Sequence, residues 1–450
     1  MARFTQAARA ALVLTVTLPA LPALAQTVFD EPAAFDANIR MRGDGGAVYP
    51  GSTVETEGSG FVAGQEVRVL RGTEVLSTLT ADAKGNVTWS FDLPEDAALG
   101  LHPIVVQTEN PDSATVLDLK ISPEFDVTEG GYDVVTSQYT NGLYQVDHSE
   151  ANDTLFTASA VGRPPVTESQ LTKLNAETLE VITAITPAEA SRGVYAVYGV
   201  GVDDAHANVW TTNTRQNTVA VYAQDDLSLV KQFEDGTVDH PRDVVIDEAN
   251  NRAYVSTSFS GTIAVFDTET LEKLDDLTVE SAIRRATFGA MALELDEENG
   301  QLYTISRSTP EVARIDLASG EVTVFEAPVD SGTGVTVDPA TGTIFVAGAR
   351  SDNIVAVSAD GDVLFDTKVG AYPLNLAYNP VSGNVYAANR ESGTLVGIDA
   401  TSGEVAVVLE GGSFPNHLDV LEDGTIVAVN KARGQDDPTG DTLRRIAPNM

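Results

Sequence analysis

The stretch YPLNLAYNPVSGNVYAANRESGTLVGID, Tyr372 to Asp399, decides the fold. Its second residue, Pro373, fixes φ and lacks a donor and so suits the first residue of a strand. A short apolar run ends at Asn379, whose side chain can cap the turn Asn379-Pro-Val-Ser-Gly383. Val385-Tyr-Ala-Ala-Asn389 is a second strand, and Thr394-Leu-Val-Gly-Ile-Asp399 a third. The pattern is strand, capped turn, strand, turn, strand.

Working outward, the pattern returns along most of the chain. Aligned on the apolar or aromatic residue of the second strand, the units carry Phe156, Trp210, Tyr254, Tyr303, Phe345, Tyr386 and Val427, at intervals of 54, 44, 49, 42, 41 and 41 residues. All-strand repeats of this period predict four-stranded propeller blades, seven in number. Seven residues before the first six anchors stand Ser149, Asp203, Asp247, Asp296, Asp338 and Asn379, each opening a turn. Three residues further back runs an apolar column, Val146, Val200, Val244, Leu293, Val335, Leu376 and Leu418, expected to be buried between neighbouring blades. The seventh unit stops three strands in, at Asp441 to Ile446, while the strand-like Gly131-Tyr-Asp-Val-Val-Thr136 precedes the first. That piece is expected to supply the missing outer strand and close the ring, removing an exposed sheet edge.

Before the repeat, residues 39–123 hold about seven short alternating runs, including Thr53–Thr56, Glu66–Leu70, Val75–Leu79, Val87–Phe91 and Thr115–Ile121. Their spacing predicts an Ig-like β-sandwich, in which Trp89 and Phe91 face the core. The fold class expected is all-β: a sandwich, then a seven-bladed β-propeller over 125–450. Residues 1–25 read as a signal peptide, with Arg3 and Arg9 ahead of an apolar run and Ala23-Leu-Ala25 at the cleavage site. Residues 26–38 read as an extended lead-in. No lipobox or later apolar span is evident, so an exported protein, periplasmic or secreted, is expected.

Composition excludes more than it names. There is no cysteine among the 450 residues, which removes disulfides, thiolate metal sites and a thiol nucleophile. The net charge of −39 opposes nucleic-acid phosphates and suits cationic partners. No P-loop, G-x-S-x-G elbow, HExxH or EF-hand loop occurs, and no cofactor is expected. Asp436-Asp437 and Glu297-Glu298 could at most form a loose Ca²⁺ site. Arg284-Arg285 lies in a long insertion and reads as solvated.

A site is expected at one mouth of the central channel, where the inner strands begin. The positions just ahead of the apolar column supply Tyr144, Gln145, Tyr198, Arg242, Asp243, Asn375, Asn416 and His417, with His240 and Tyr372 nearby. One reading is a polar, aromatic patch for a small ligand or peptide. The other, preferred, is that Asp243, Asn375 and His417 bond neighbouring blades and hold the ring together.

Tyr254-Val-Ser, Val385-Tyr-Ala-Ala-Asn389, Thr394 to Asp399, and Phe414-Pro-Asn-His-Leu with the Gln435-Asp-Asp-Pro loop resemble the YVTN-repeat propellers, and among them the YncE-like group of exported bacterial proteins. The resemblance covers about residues 125–450 and implies a non-catalytic propeller; single-stranded DNA binding is associated with that group. The strands GSTVETEGSGFVAGQEVRVLRG and ADAKGNVTWSFDLP resemble Ig-like modules of bacterial envelope proteins. An exported binding or scaffold protein with an unidentified envelope protein, peptide or small ligand as partner is therefore the leading expectation. A lactonase-like hydrolase or lyase with its site in the channel mouth is the alternative.

Overall fold

The second strand of each repeat is buried along almost its whole length, and the reason is that both of its faces are covered. In the computed structural model, which describes residues 34–128 and 130–449, Thr154–Val161, Thr343–Gly348 and Asn384–Asn389 are buried almost throughout. The outer strands Val181–Ile185, Leu229–Gln232 and Val363–Lys368 are instead largely exposed. Sheets stacked face to face around an axis give this gradient, because only the rim strands meet water.

Seven such sheets are present, with inner strands Leu143–Ser149, Gly199–Asp203, Val244–Asp247, Ala290–Asp296, Gly332–Asp338, Pro373–Asn379 and Pro415–Val420. Blades 1 to 6 are built in chain order; in blade 3 the outermost position is shared by two short strands that both pair with Thr262–Asp267. Blade 7 is completed from the start of the domain. Tyr132–Ser137 pairs antiparallel with Leu443–Pro448, in a register that sets Val134 opposite Ile446. The expected closure is present.

Among the described residues of the propeller, seven apolar clusters hold the column, one per blade interface, beside a smaller one of Ala160, Val166, Ala196 and Tyr198. Val146 lies with Leu421, Val427 and Val429 between blades 7 and 1. Val200, Val244, Leu293, Val335, Leu376 and Leu418 each belong to one of the other six. At about 1.5–3 kcal/mol per fully buried aliphatic side chain, this column is a major tie around the ring. The turn residues behave as the sequence implies: Asp247 Oδ1 accepts the Asn250 N–H at 3.0 Å, Asp296 Oδ1 that of Asn299 at 3.1 Å, and Asn379 Oδ1 those of Val381 and Ser382.

N-terminal to the propeller, seven strands fall into two sheets. One orders Asn38–Arg42, Thr53–Ser59 and Val87–Asp92; the other orders Glu74–Thr80, Glu66–Arg71, Gly100–Glu109 and Ser113–Ile121. Thr53–Ser59 alternates buried and exposed residue by residue, as a strand with one covered face must. Trp89 and Phe91 share a half-buried face of Val87–Asp92. The signal-peptide reading, residues 1–25, lies outside the described residues, as does the lead-in before residue 34. No described helix is long and apolar enough to cross a membrane.

Candidate functional site

Inner strands rise by about 3.3 Å per residue, so each successive position forms a ring at its own depth in the channel. The outermost ring contains Tyr144, Tyr198, Arg242 and Asn416. The next holds Gln145, Asp243, Asn375 and His417. A third, about 10 Å below the first at that rise, holds Asp147, Glu294 and Asp419.

The second ring is largely structural. Gln145 accepts the Val200 N–H at 3.1 Å and donates to Asp243 Oδ1 at 3.0 Å, while Asp243 Oδ2 accepts the Leu293 N–H at 3.0 Å. Asn375 Oδ1 accepts the Leu418 N–H at 2.9 Å. These contacts join blades 1, 2, 3 and 4, and blades 6 and 7. Gly199 leaves room for them: a Cβ there would stand 2.5 Å from the Arg242 carbonyl oxygen and 2.9 Å from Gln145 Oε1. His417 is different, because its buried Nδ1 has no hydrogen-bond partner among the described residues. Burial and the Arg242 charge push its pKa down to about 3, so it is neutral at pH 7.

Below it the channel widens into a cavity of about 520 Å³ lined by Asp147, Asp243, Glu294, Asp419, His417 and the apolar column. Desolvation raises the pKa of all four carboxyls, Glu294 to about 8 and Asp419 to about 6. Asp147 and Asp419 also repel one another's charge. Each retains a bond: Asp147 Oδ2 accepts the Val202 N–H at 2.6 Å and Glu294 Oε1 the Thr336 hydroxyl at 2.8 Å. No group of three or more acidic or imidazole ligands with metal-holding geometry occurs among the described residues.

The outermost ring carries the feature that sequence reading missed. Each inner strand begins beside the end of the second strand of its blade, so the loops leaving the second strands crowd the same mouth. Those loops deliver Arg215, Arg307, Arg390 and Lys431 next to Arg242. Asn416 ties the arc together, with Nδ2 donating to the Tyr144 carbonyl at 2.6 Å and Oδ1 accepting from Arg390 Nη1 at 2.8 Å. Tyr144 and Tyr198 meet edge to face at 4.5 Å, and Arg215 Nε donates to the Tyr198 hydroxyl at 3.1 Å. Lys431 Nζ stands 3.5 Å over the Tyr144 ring, Arg390 4.7 Å over Phe414, and Arg307 5.2 Å over Phe259, which His240 also contacts.

Among the described residues, none of these five cations is ion-paired with a carboxylate. In a chain with 66 acidic residues, that segregation departs from a random mixture of charges. The opposite mouth carries acids instead: Asp204 accepts from the Ser149 hydroxyl and the Ala151 N–H, Glu248 accepts the Asp204 N–H, and Glu297 the Ala249 N–H. The available sequence signal was a basic residue one or two places after the second strand, as in Asn213-Thr-Arg215, Ser306-Arg307, Asn389-Arg390 and Asn430-Lys431. Arg284 and Arg285 stay exposed on their loop.

Comparison with known proteins gives a consistent fold. The YncE proteins of Salmonella typhi and Escherichia coli K12 are 26% and 25% identical over 70% and 67% of this chain, covering 91% and 86% of their own lengths. Among solved structures, virginiamycin B lyase from Staphylococcus aureus superposes with a TM-score of 0.55 at 12% identity, covering 71% of this chain and all of that one. The RRP9 WD40 repeats superpose with a TM-score of 0.58 at 11% identity, over 70% and 98% of the two chains. Residues 131–363 match the family described as lactonase, seven-bladed β-propeller, and with its seven blades closed into a ring, the chain belongs to that family.

Proposed function

We propose that this protein is an exported, non-enzymatic binding protein whose propeller receives an anionic ligand at the mouth where the inner strands begin. One observation carries the reading: Arg215, Arg242, Arg307, Arg390 and Lys431 converge there from separate blades without carboxylate partners among the described residues. Uncompensated cations placed together cost electrostatic energy, and an incoming anion recovers it. Tyr144, Tyr198, Phe259 and Phe414 add flat apolar faces between the charges. The N-terminal strands, read as an Ig-like sandwich, would space or dock the propeller in the cell envelope.

The test is calorimetric titration of the purified protein with tripolyphosphate, citrate and a short oligothymidylate, at low and high salt. Binding that weakens at least about tenfold in Arg390→Ala, and again in Arg242→Ala, supports the mouth, since a charge-assisted bond contributes about 1.5–3 kcal/mol. Oligonucleotide binding well beyond that of tripolyphosphate would identify the anion as nucleic acid. No binding of any anion, or binding indifferent to both substitutions, would refute the proposal.

A second reading has an observation of its own. His417 is neutral with an Nδ1 that has no partner among the described residues, and it faces a cavity shared with Asp243 and Asp419. Such a group is too weakly basic for proton abstraction at pH 7 but would hydrogen-bond and orient a substrate in a lactonase- or lyase-type reaction, the chemistry that the names of the family and of one structural neighbour suggest. Turnover of a lactone panel that disappears in His417→Ala would favour it.

A further inference from the structure

Lys431 is the one lysine in the cationic arc, and its surroundings differ from those of a surface lysine. It follows the strand Ile426–Asn430, and its Nζ makes no hydrogen bond or ion pair among the described residues. It stands 3.5 Å over the centroid of the Tyr144 ring. Arg390, Arg242 and Arg215 all reach it electrostatically, and Asp441 opposes them. That carboxylate is already engaged by the backbone N–H groups of Gly142 at 2.8 Å and Ala432 at 3.2 Å. The tyrosine ring favours the ammonium form, but burial first and the guanidinium groups next favour the free amine, and the balance brings the pKa down to about 7. An amine next to cations and withdrawn from water is a nucleophile at neutral pH.

We propose that Lys431 is the reactive amine of this mouth, condensing with the carbonyl carbon of an anionic aldehyde or ketone while Arg215, Arg242 and Arg390 hold the ligand's charge. The inference rests on the anion-binding reading and names its ligand class. The Nζ lone pair attacks the carbonyl carbon, and the C=O π electrons move to oxygen. Transfer of a proton from nitrogen to that oxygen gives a carbinolamine. Loss of water then forms the C=N bond, so amine plus carbonyl yields imine plus one water with no redox change. The three guanidiniums raise the local concentration of a phosphorylated or carboxylated carbonyl compound and disfavour a neutral one.

The probe is pyridoxal 5′-phosphate, an anionic aldehyde, followed by borohydride reduction and peptide mapping over the protein's seven lysines. Lys431 should label at least tenfold faster than Lys84, Lys120, Lys173, Lys231, Lys273 or Lys368. Its rate should be half-maximal near pH 7, fall at least tenfold with pyridoxal lacking the phosphate, and fall again with tripolyphosphate present. Lys431→Arg should abolish the fast label, and a circular dichroism spectrum and melting transition matching those of the unaltered protein report that the variant folds. Label spread evenly over the lysines in a protein that still binds tripolyphosphate would overturn the imine inference alone. Absence of both fast labelling and tripolyphosphate binding would overturn the anion-binding reading with it.

Discussion

Replacing Glu294 by glutamine should make the propeller more stable, and only above the pH at which the unfolded carboxyl ionises. Desolvation in the channel lifts the Glu294 pKa from 4.5 to about 8. A carboxyl raised in the folded state binds more protons folded than unfolded between those values. Stability is therefore fully present below the lower value and is lost as pH rises to the upper one. The interval of about 3.5 units sets an upper limit of about 5 kcal/mol at 1.36 kcal/mol per unit. Glu294 borders a cavity and is not sealed in apolar packing, so water relaxation brings a realistic figure to about 2 kcal/mol. Glutamine keeps an oxygen to accept the Thr336 hydroxyl and removes the titrating charge. An unfolding entropy of about 2.1 cal/mol/K per residue over the propeller converts this to a rise of roughly 3 °C at pH 8.5. Calorimetric scans of both proteins between pH 4 and 8.5 provide the assay. The difference in Tm should vanish near pH 4 and grow with pH; an equal offset at every pH, or a less stable variant at pH 8.5, would refute the reasoning.

Other outcomes follow from the same geometry. Deleting residues 131–137 removes the strand paired with Leu443–Pro448 and should cost about 3–6 kcal/mol in lost ladder bonds; it also exposes an edge, read as a lower Tm and faster aggregation in light scattering. Gly199→Ala should cost about 1–3 kcal/mol by overpacking, because its Cβ would press on Arg242 and Gln145; an unchanged unfolding midpoint would count against the close approach of blades 2 and 3. Asn416→Ala breaks the bonds to Tyr144 and Arg390 and should lower stability by about 1–3 kcal/mol while weakening tripolyphosphate binding, so full retention of affinity would show that Arg390 needs no such positioning.

The repeat period, the capped turns and the apolar column were all written locally, and so was the ring closure: a blade one strand short and a spare strand upstream leave one economical pairing. Strand periodicity and turn chemistry act over a few residues, which is why Val146, Asp247 and Asn379 could be placed by inspection. Part of the mouth was legible for the same reason, since Tyr144, Arg242, Asn416 and His417 hold fixed positions in the repeat. What tertiary structure alone decided was charge and environment. Arg215, Arg390 and Lys431 are far apart in sequence and meet only because seven loops converge on one axis. The net charge of −39 averaged that arc away. Likewise, Asp147 and Asp419 stand 272 positions apart, and their mutual repulsion and raised pKa values arise only when the first and seventh blades close around a cavity that excludes bulk water.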